Sequence, residues 1–387
     1  MAGAQGETRI PLFDIRIEDE DTEAVAEVLR SGWLSMGPRT EAFEREFAEH
    51  LGIEHVVAVS SGTAALHLSC IAAGVGEGDE VIVPSQTFVA TVNAVLYCGA
   101  TPVFADIVGP DDLNIDPVGV EAAITERTKA VIPVHYAGYP VAIEEIAQLC
   151  EERGLALIED AAHAPSATSG GRKLGTFGFS GCFSFFSNKV LCCGEGGALS
   201  TSDPVVAERV RLLRSQGMTA TTIDRHRGVA TEYDVVEAGF NYRLDDPRAA
   251  LLSSRLRRLD AEIERRRELV MRYRELLGDV DGLSLPWTDA DVPGSSCYMT
   301  AVIIEDGRRD EVRRALRDRH GVQTTVYPAV HELESYRRRL PGLSLPNSEL
   351  VAASMFSIPL FPHMSEETQD QVVAALRDSV GNSTVAR

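Results

Sequence analysis

The chain has 387 residues, of which 44% are hydrophobic and 25% are charged, a composition typical of globular proteins that excludes disordered and fibrous classes. Its 58 acidic and 37 basic residues give a formal net charge of −21, which repels phosphate backbones and argues against nucleic-acid binding. The N-terminus has no basic stretch followed by an apolar core, and prolines and polar residues interrupt the most apolar long segment, 81–105. We therefore expect a cytoplasmic protein without a membrane span.

The first half of the sequence has the pattern of an α/β protein. Two helical patterns, at 21–30 and 40–51, are joined by the loop GWLSMGP. Short apolar runs then alternate with helical stretches, which predicts a mostly parallel sheet covered on both faces. In such sheets functional groups lie at the carboxyl ends of the strands. The predicted strands are HVVAVS, DEVIVP, TPVFADI, AVIPVHY, LALIEDAA and GCFSFF.

The pattern changes near residue 246. A long Arg/Glu-rich helix is predicted over 247–277, with leucines along one face, and it would bridge two domains. The remainder predicts a compact α+β unit with strands MTAVIIE and VQTTVYP and helices DEVRRALRDRHG and SEETQDQVVAALRDSV. The sequence therefore divides into a large domain over 1–246 and a bridging helix with a smaller domain over 247–387.

Cysteine and lysine usage narrow the possible chemistry. The seven cysteines include no CxxC pair or other metal-ligand spacing, so we expect no metal site. The only lysines are Lys129, Lys173 and Lys189, and the other 34 basic residues (37 − 3) are arginines. A reaction that needs an amine therefore has three candidates.

Two segments end predicted strands with residues suited to ligand binding. The run Ser60-Ser61-Gly62-Thr63 opens a helix, where free backbone N–H groups and small side chains let a phosphate approach, although a simple helix cap is an alternative. Asp160 ends the strand LALIEDAA, where a buried carboxylate needs a cation or a proton donor. A helix-capping aspartate is the alternative there, and the neighbouring Glu159 would point away.

Lys189 stands out among the three lysines. It lies in GCFSFFSNKVLCCGEGGAL, whose apolar surroundings would lower the pKa of the amine and make it a nucleophile and base. Lys129, in a polar turn before a predicted strand, and Lys173, in the Gly-rich loop SGGRKLG, are expected to be solvated. A phosphate-binding helix start, a later acid at Asp160 and a buried lysine follow the order of a pyridoxal phosphate site. In such a site the lysine binds the cofactor covalently and the acid holds its ring nitrogen.

The chain resembles, over nearly its whole length, the DegT/DnrJ/EryC1/StrS sugar aminotransferases, which are fold type I pyridoxal phosphate enzymes. The matching runs are GWLSMGP, SSGTAALHL, DEVIVPSQTFVATVNAVLYCGATPVFADI, IEDAAHAPSA, SFFSNKVLCCGEGGAL and GFNYRLDDPRAAL. The resemblance implies a large cofactor-binding domain with a mostly parallel sheet, a smaller α+β C-terminal domain, and a homodimer with shared active sites.

The resemblance also implies roles for individual residues. Lys189 would bind the cofactor covalently, Asp160 would pair with the pyridine nitrogen, Phe88 would stack on the ring, and His163 would lie near the ring hydroxyl. Many relatives have Gln in place of His163. The remaining residues would hold the phosphate (Gly62, Thr63, Ser184 and, from the neighbouring subunit, Asn241) or meet the substrate (Arg243, His331, Tyr336). Arg225, His226 and Arg227 could supply cations to a diphosphate, with a solvated loop as the alternative.

The function implied is transfer of an amino group from L-glutamate to a nucleotide-linked 4-keto-6-deoxysugar. The alternatives are a 3-keto sugar nucleotide or a keto-cyclitol as acceptor, or a non-catalytic sensor that kept the fold. Related dehydrases carry His in place of the lysine, so Lys189 argues against them. No GxGxxG follows the first strand, which argues against a nicotinamide dehydrogenase.

Overall fold

The computed structural model describes residues 9–220 and 232–381. The strands are β1 His55–Val59, β2 Glu80–Pro84, β3 Thr101–Ala105, β4 Thr128–Val131, β5 Ala156–Asp160, β6 Thr168–Ser169, β7 Arg172–Lys173, β8 Ser180–Ser184, β9 Gly197–Thr201, β10 Leu283–Ser284, β11 Thr300–Ile304 and β12 Met355–Ile358. The helices are α1 Asp19–Ser31, α2 Pro38–Leu51, α3 Gly62–Ala72, α4 Val89–Tyr97, α5 Pro117–Ala123, α6 Ile143–Arg153, α7 Pro204–Leu213, α8 Asp246–Leu256, α9 Leu259–Leu277, α10 Arg309–His320, α11 Glu334–Arg337, α12 Pro346–Ser354 and α13 Glu366–Gly381.

A seven-stranded sheet forms the centre of the molecule. Its strand order is β1-β9-β8-β5-β4-β2-β3, and every strand except β9 runs in the same direction. The strands are almost wholly buried, because helices cover both faces, and this explains their continuous apolar sequences. The mostly parallel α/β sheet predicted from the sequence is confirmed. All six predicted strands occur, and β9 was missed because its sequence, GALST, is short and carries small residues.

The parallel strands bring their carboxyl ends to one edge of the sheet. Strands β1, β2, β5 and β8 end there, and helices α3 and α4 begin just beyond β1 and β2. Each end leads into a turn that carries polar or aromatic residues. This edge therefore collects residues that are far apart in the sequence.

The C-terminal part contains a second, smaller sheet. Strands β10, β11 and β12 form an antiparallel sheet, and α10 packs against α13. The predicted strand VQTTVYP was wrong. Val322 and Thr325 make only isolated bridges, to Ile10 and Ser357, because this segment connects two parts of the molecule instead of lying along one neighbour.

The predicted single helix over 247–277 is two helices. The chain turns at Arg257 and Arg258, where the Arg258 side chain donates two hydrogen bonds to the buried Asp21 on α1. Apolar residues from both sides of the predicted domain boundary at 246/247 form one continuous core. That boundary stays a prediction.

Hydrogen bonds to Asp246 fix the end of the loop GWLSMGP. Asp246, at the start of α8, accepts hydrogen bonds from the backbone of Gly37 and Thr40 and from the Thr40 hydroxyl at 2.8–3.0 Å. A buried carboxylate that satisfies the free N–H groups at a helix start stabilises that start. Within the described ranges, no helix is both long and apolar enough to cross a membrane.

Candidate active site

The start of α3 makes a close approach to the end of β8. Ser61 caps the helix by accepting a hydrogen bond from Ala64 N at 3.1 Å. A Cβ added to Gly62 would lie 2.9 Å from the Ser184 Cβ, and one added to Gly197 would lie 2.4 Å from the Ser61 backbone. Glycine at both positions therefore lets a helix N-terminus and a serine hydroxyl share one small space, which suits an anion.

Asp160 ends β5 in a buried position. Its carboxylate accepts hydrogen bonds from the Thr91 hydroxyl at 2.8 Å and from Ala162 N at 3.2 Å. Burial raises the pKa of Asp160, while these two bonds and the positive charge of Lys189 lower it in part. A cation placed against this carboxylate would favour its ionised form.

Glu159 lies on the opposite face of the same strand, as predicted from its position beside Asp160. It is fully buried and accepts hydrogen bonds from the amides of Gly175, Phe177 and Gly178 at 2.6–3.2 Å, with His135 Nε2 at 3.1 Å. Its partners are all structural, so Glu159 shapes the loop before β8 and leaves Asp160 as the acid of the site.

Lys189 lies on a loop after β8, and the residue is half-buried. Its Nζ atom lies 4.6 Å from the centre of the Tyr298 ring, which suits a cation–π contact. Burial lowers the pKa of Lys189 to about 8, although the negative charge of Asp160 raises it in part. A neutral amine is therefore accessible near neutral pH, as a nucleophile or a base requires.

His163 lies between two aromatic residues. Its ring stacks on Tyr298 at 4.2 Å and contacts Tyr136 edge-on at 6.0 Å. Burial, with the nearby charge of Lys189, holds the pKa of His163 well below its usual range, so the ring is neutral. Its buried Nδ1 has no hydrogen-bond partner among the described residues, which leaves one polar atom free for a ligand.

Phe88 lies at the start of α4, on the helix that carries Thr91. Its side chain is 61% exposed, which is unusual for a large aromatic residue. The hydroxyls of Thr87 and Thr91 are hydrogen-bonded to each other at 2.7 Å, and the Thr91 hydroxyl also donates to Asp160. Phe88 therefore directly follows Thr87, which is linked by hydrogen bonds through Thr91 to the buried carboxylate of Asp160.

His331 and Tyr336 have partners inside the chain. His331 Nδ1 lies 2.7 Å from the Ser85 hydroxyl, and the Tyr336 hydroxyl donates to Asn93 at 2.7 Å. Both side chains are buried. Their predicted contact with substrate stays a prediction, and their observed role is to hold α11 and the preceding turn against β2 and α4.

Asn241 and Arg243 flank Tyr242, whose carbonyl accepts a hydrogen bond from Ser60 N at 2.8 Å. Asn241 is exposed, and Arg243 and Thr63 are half-buried. Their predicted ligand roles stay predictions. The segment with Arg225, His226 and Arg227 lies outside the described residues.

These residues fit pyridoxal phosphate. The small space at Gly62 and Ser184 suits its phosphate, buried Asp160 suits its ring nitrogen, and the unpartnered Nδ1 of His163 suits a ring substituent. Lys189 supplies an amine of lowered pKa. The site therefore provides a residue suited to each polar group of the cofactor.

Sequence reasoning missed three residues of the site. Tyr298 contacts both Lys189 and His163, but it precedes β11 in a run, SSCYMT, without a recognisable motif. The role of Thr91 could have been predicted from the sequence, because Thr87 and Thr91 lie four residues apart at the start of a helix after a strand. Gly197 has no signal of its own in the sequence, because its close contact with Ser61 depends on the pairing of β1 with β9.

Comparison with known proteins places the chain in a family. A model of the DegT/DnrJ/EryC1/StrS aminotransferase family matches residues 15–377. The chain is 39% identical to the aminotransferase TlmJ from Streptoalloteichus hindustanus, with 98% of this chain and 100% of TlmJ covered and a TM-score of 0.88. It is 37% identical to S. venezuelae DesV, solved with a ketimine intermediate, with 96% and 98% covered and a TM-score of 0.87.

A more distant structure is Spr1654 from Streptococcus pneumoniae, assigned as a sugar aminotransferase and solved in a PLP form. It is 26% identical, with 95% of this chain and 97% of Spr1654 covered and a TM-score of 0.87. The chain belongs to the DegT/DnrJ/EryC1/StrS aminotransferase family. The family, the fold and the aminotransferase class predicted from the sequence are confirmed.

The lowered pKa of Lys189 can be tested on the protein without cofactor. A lysine of ordinary pKa near 10.4 is almost wholly protonated at pH 7, whereas a pKa of about 8 leaves about a tenth of the amine neutral. We expect acetylation of Lys189, followed by peptide mass mapping, to rise with pH and reach half its maximum near pH 8. Acetylation of a free lysine peptide is the standard, and a Lys189 profile that coincides with it would contradict the assignment.

Proposed function

We propose that the chain is a pyridoxal phosphate-dependent aminotransferase that moves an amino group from L-glutamate to a nucleotide-linked 4-keto-6-deoxysugar. The observation that carries the cofactor and the amino transfer is one edge of the sheet that brings together the Lys189 amine, 4.6 Å from the Tyr298 ring, the buried carboxylate of Asp160 and the anion space at Gly62 and Ser184. Burial also lowers the pKa of Lys189 to about 8. Membership of the aminotransferase family and the PLP form of Spr1654 support the cofactor. The assignment of Spr1654 supports a sugar as the acceptor.

Each residue of the proposed site has a task that its chemistry allows. Pyridoxal phosphate supplies an electron sink when it is bound. Asp160 would keep the ring nitrogen protonated, because a buried carboxylate stabilises a nearby cation. Lys189 would hold the cofactor covalently until the donor replaces it, and its amine would then take the proton from the donor's α-carbon and deliver it to the cofactor.

Other residues would bind and orient the cofactor. The Ser184 hydroxyl, with the backbone at Gly62 and Thr63, would hold the phosphate, since they meet at a helix N-terminus. The exposed ring of Phe88 would cover one face of the pyridine ring, and neutral His163 would contact the ring hydroxyl through Nδ1.

The acceptor can be identified by incubating the purified protein with L-glutamate, pyridoxal phosphate and nucleotide-linked 4-keto and 3-keto sugars or a keto-cyclitol. We expect mass analysis to find an amino sugar nucleotide only with the 4-keto-6-deoxy acceptors. Conversion of only a 3-keto sugar or the cyclitol would replace the proposed acceptor. A protein that shows the absorbance of bound cofactor but converts none of them would support the non-catalytic sensor.

The role of Asp160 can be separated from that of its neighbour. We expect Asp160→Asn to keep the cofactor and lose about 10² to 10⁴ in the rate of the glutamate half-reaction, because a neutral amide cannot hold the ring nitrogen protonated. Glu159→Gln is the matched control on the same strand. It should lower the melting temperature, since Glu159 accepts three backbone hydrogen bonds, and leave that rate within a few-fold. Equal losses in both variants would contradict the assignment.

We further propose a homodimer in which Asn241 holds the phosphate of the neighbouring subunit. Support comes from the resemblance of the run GFNYR to the DegT/DnrJ/EryC1/StrS family and from the exposed position of Asn241, which leaves its side chain accessible to a partner subunit.

Mixing two inactive variants tests this shared site. In a dimer of one Lys189→Ala and one Asn241→Ala subunit, a shared arrangement puts both lesions in one site and leaves the other intact. With random subunit exchange half of the dimers are mixed, so we expect about a quarter of wild-type activity to return. If Asn241 serves its own subunit, every site keeps one lesion. Confirmed mixed dimers without activity would therefore refute the proposal.

A further inference from the structure

A cavity of about 340 Å³ lies beside Lys189, on the side of helices α8 and α9. The N-terminal segment around Phe13 and Ile15, the turn at Asn188 and Lys189, and the two helices form its walls. This volume is at the lower end of the range of small-molecule sites, roughly 300–1,000 Å³. The cavity therefore has room for a small ligand next to the amine.

Arginines dominate the charged groups in the wall. Five arginines line the cavity, against three carboxylates, in a chain whose net charge is strongly negative. Three of these arginines have close carboxylate partners within the chain. The pairs are Arg16 with Glu18 at 3.0 Å, Arg258 with Asp21 at 2.6 Å and Glu262 at 2.8 Å, and Arg265 with Glu268 at 2.7 Å.

Among the described residues, the two most buried arginines of the cavity wall have no carboxylate closer than 3.7 Å, although Arg255 donates to the Arg16 carbonyl at 3.1 Å. Arg255 is 6% exposed, and its nearest carboxylates, Glu262 and Asp21, lie at 3.7 and 4.0 Å. Arg266 is 5% exposed, and within the described residues it has no carboxylate within 4.0 Å. The Nε atoms of both arginines are buried without a hydrogen-bond partner in that part of the chain.

Arg266 has only long contacts with backbone oxygens. Its Nη1 lies 3.4 Å from the carbonyl oxygens of Cys297, Tyr298 and Leu360. A guanidinium stays charged inside proteins, and a buried charge without a close ionic partner is unfavourable. An anion in the cavity would supply the missing partner, and the planar guanidinium suits a carboxylate in particular.

Tyr298 connects this arginine to the amine. Its carbonyl faces Arg266, while its ring lies 4.6 Å from Lys189 Nζ. Tyr298 would therefore be the one residue between a ligand bound to Arg266 and Lys189, the residue proposed to take the proton from the amino donor. Any amino-acid donor carries an α-carboxylate, and L-glutamate carries a second one.

We propose that Arg266, assisted by Arg255, binds a carboxylate of the amino-acid donor in this cavity. The proposal rests on the aminotransferase function proposed above and names the subsite for its donor. Arg266 is here a binding residue for the donor and takes no part in binding the nucleotide sugar.

The test uses the protein with its cofactor and titrates glutarate, a dicarboxylate that lacks the amino group, by calorimetry. We expect Arg266→Met to weaken glutarate binding about 10- to 100-fold, the range of a lost hydrogen-bonded charge pair, and to raise the KM for L-glutamate by a similar factor. The KM for the keto sugar should stay within about twofold. Arg266→Lys keeps the charge but loses the planar fork, so we expect an intermediate effect.

Arg267→Met is the matched control. Arg267 is the next residue on α9, also donates to a backbone carbonyl, of Ser295 at 2.8 Å, and pairs with Glu264, but it does not line the cavity. The affinity of the Arg267→Met variant for glutarate should remain within about twofold of that of the wild type. A second titration with inorganic diphosphate separates a donor site from a site for the nucleotide: loss of diphosphate binding with glutarate binding kept would overturn the proposal.

The proposal also fails if folded Arg266→Met binds glutarate as wild type does, or if the wild-type protein does not bind glutarate. Should Arg266→Met not fold, Arg266→Lys decides, and unchanged binding in that variant overturns the proposal. Failure of the proposed acceptor is a separate result, because glutarate binding that depends on Arg266 would stand even if no keto sugar were converted.

Discussion

The candidate site depends on two opposite charges, on the buried Asp160 and the half-buried Lys189, whose ionisation is shifted by their surroundings. Burial lowers the pKa of Lys189 and raises that of Asp160, and the charge of each group counteracts the shift of the other. The amine can therefore lose its proton near neutral pH while the acid still favours a cation beside it. Neither property would survive in a solvated site, where both groups would simply be ionised. The Tyr298 ring contacts both the amine of Lys189 and the ring of His163.

The sheet positions Asp160 and Ser184, and glycines leave room for the start of α3 beside Ser184. Asp160 and Ser184 end neighbouring parallel strands, and Asp160 pairs with Cys182, so the register of the sheet places Ser184 two residues beyond the partner of Asp160. The helix that follows β1 can reach the same edge only because Gly62 and Gly197 carry no side chain. A phosphate site at this edge is therefore a consequence of backbone packing, and the hydroxyl of Ser184 adds to it.

The sequence predicted the parts of this arrangement that have a local signal. Apolar runs followed by helices indicated the parallel sheet, and Lys189 and Asp160 stood out by residue type and surroundings. It could not predict contacts made by tertiary packing. Tyr298 comes from the far side of the 246/247 position, Gly197 depends on strand pairing, and Arg266 resembles every other arginine of its helix until burial distinguishes it. The segment VQTTVYP had a strand pattern, but its neighbours in space offered only single bridges.

The distribution of basic residues has a chemical consequence for such a site. Arginine supplies 34 of the 37 basic residues, and it forms the buried ion pairs, such as Arg258 with Asp21 and Arg214 with Glu44. Guanidinium groups stay protonated and offer no neutral amine, whereas a lysine of lowered pKa does. An aldehyde cofactor would therefore meet very few competing amines on this chain. Because lysines are so few, arginine is the residue available to bind carboxylates inside the protein. The nucleophilic role and the anion-binding role are therefore assigned to different residue types, lysine and arginine.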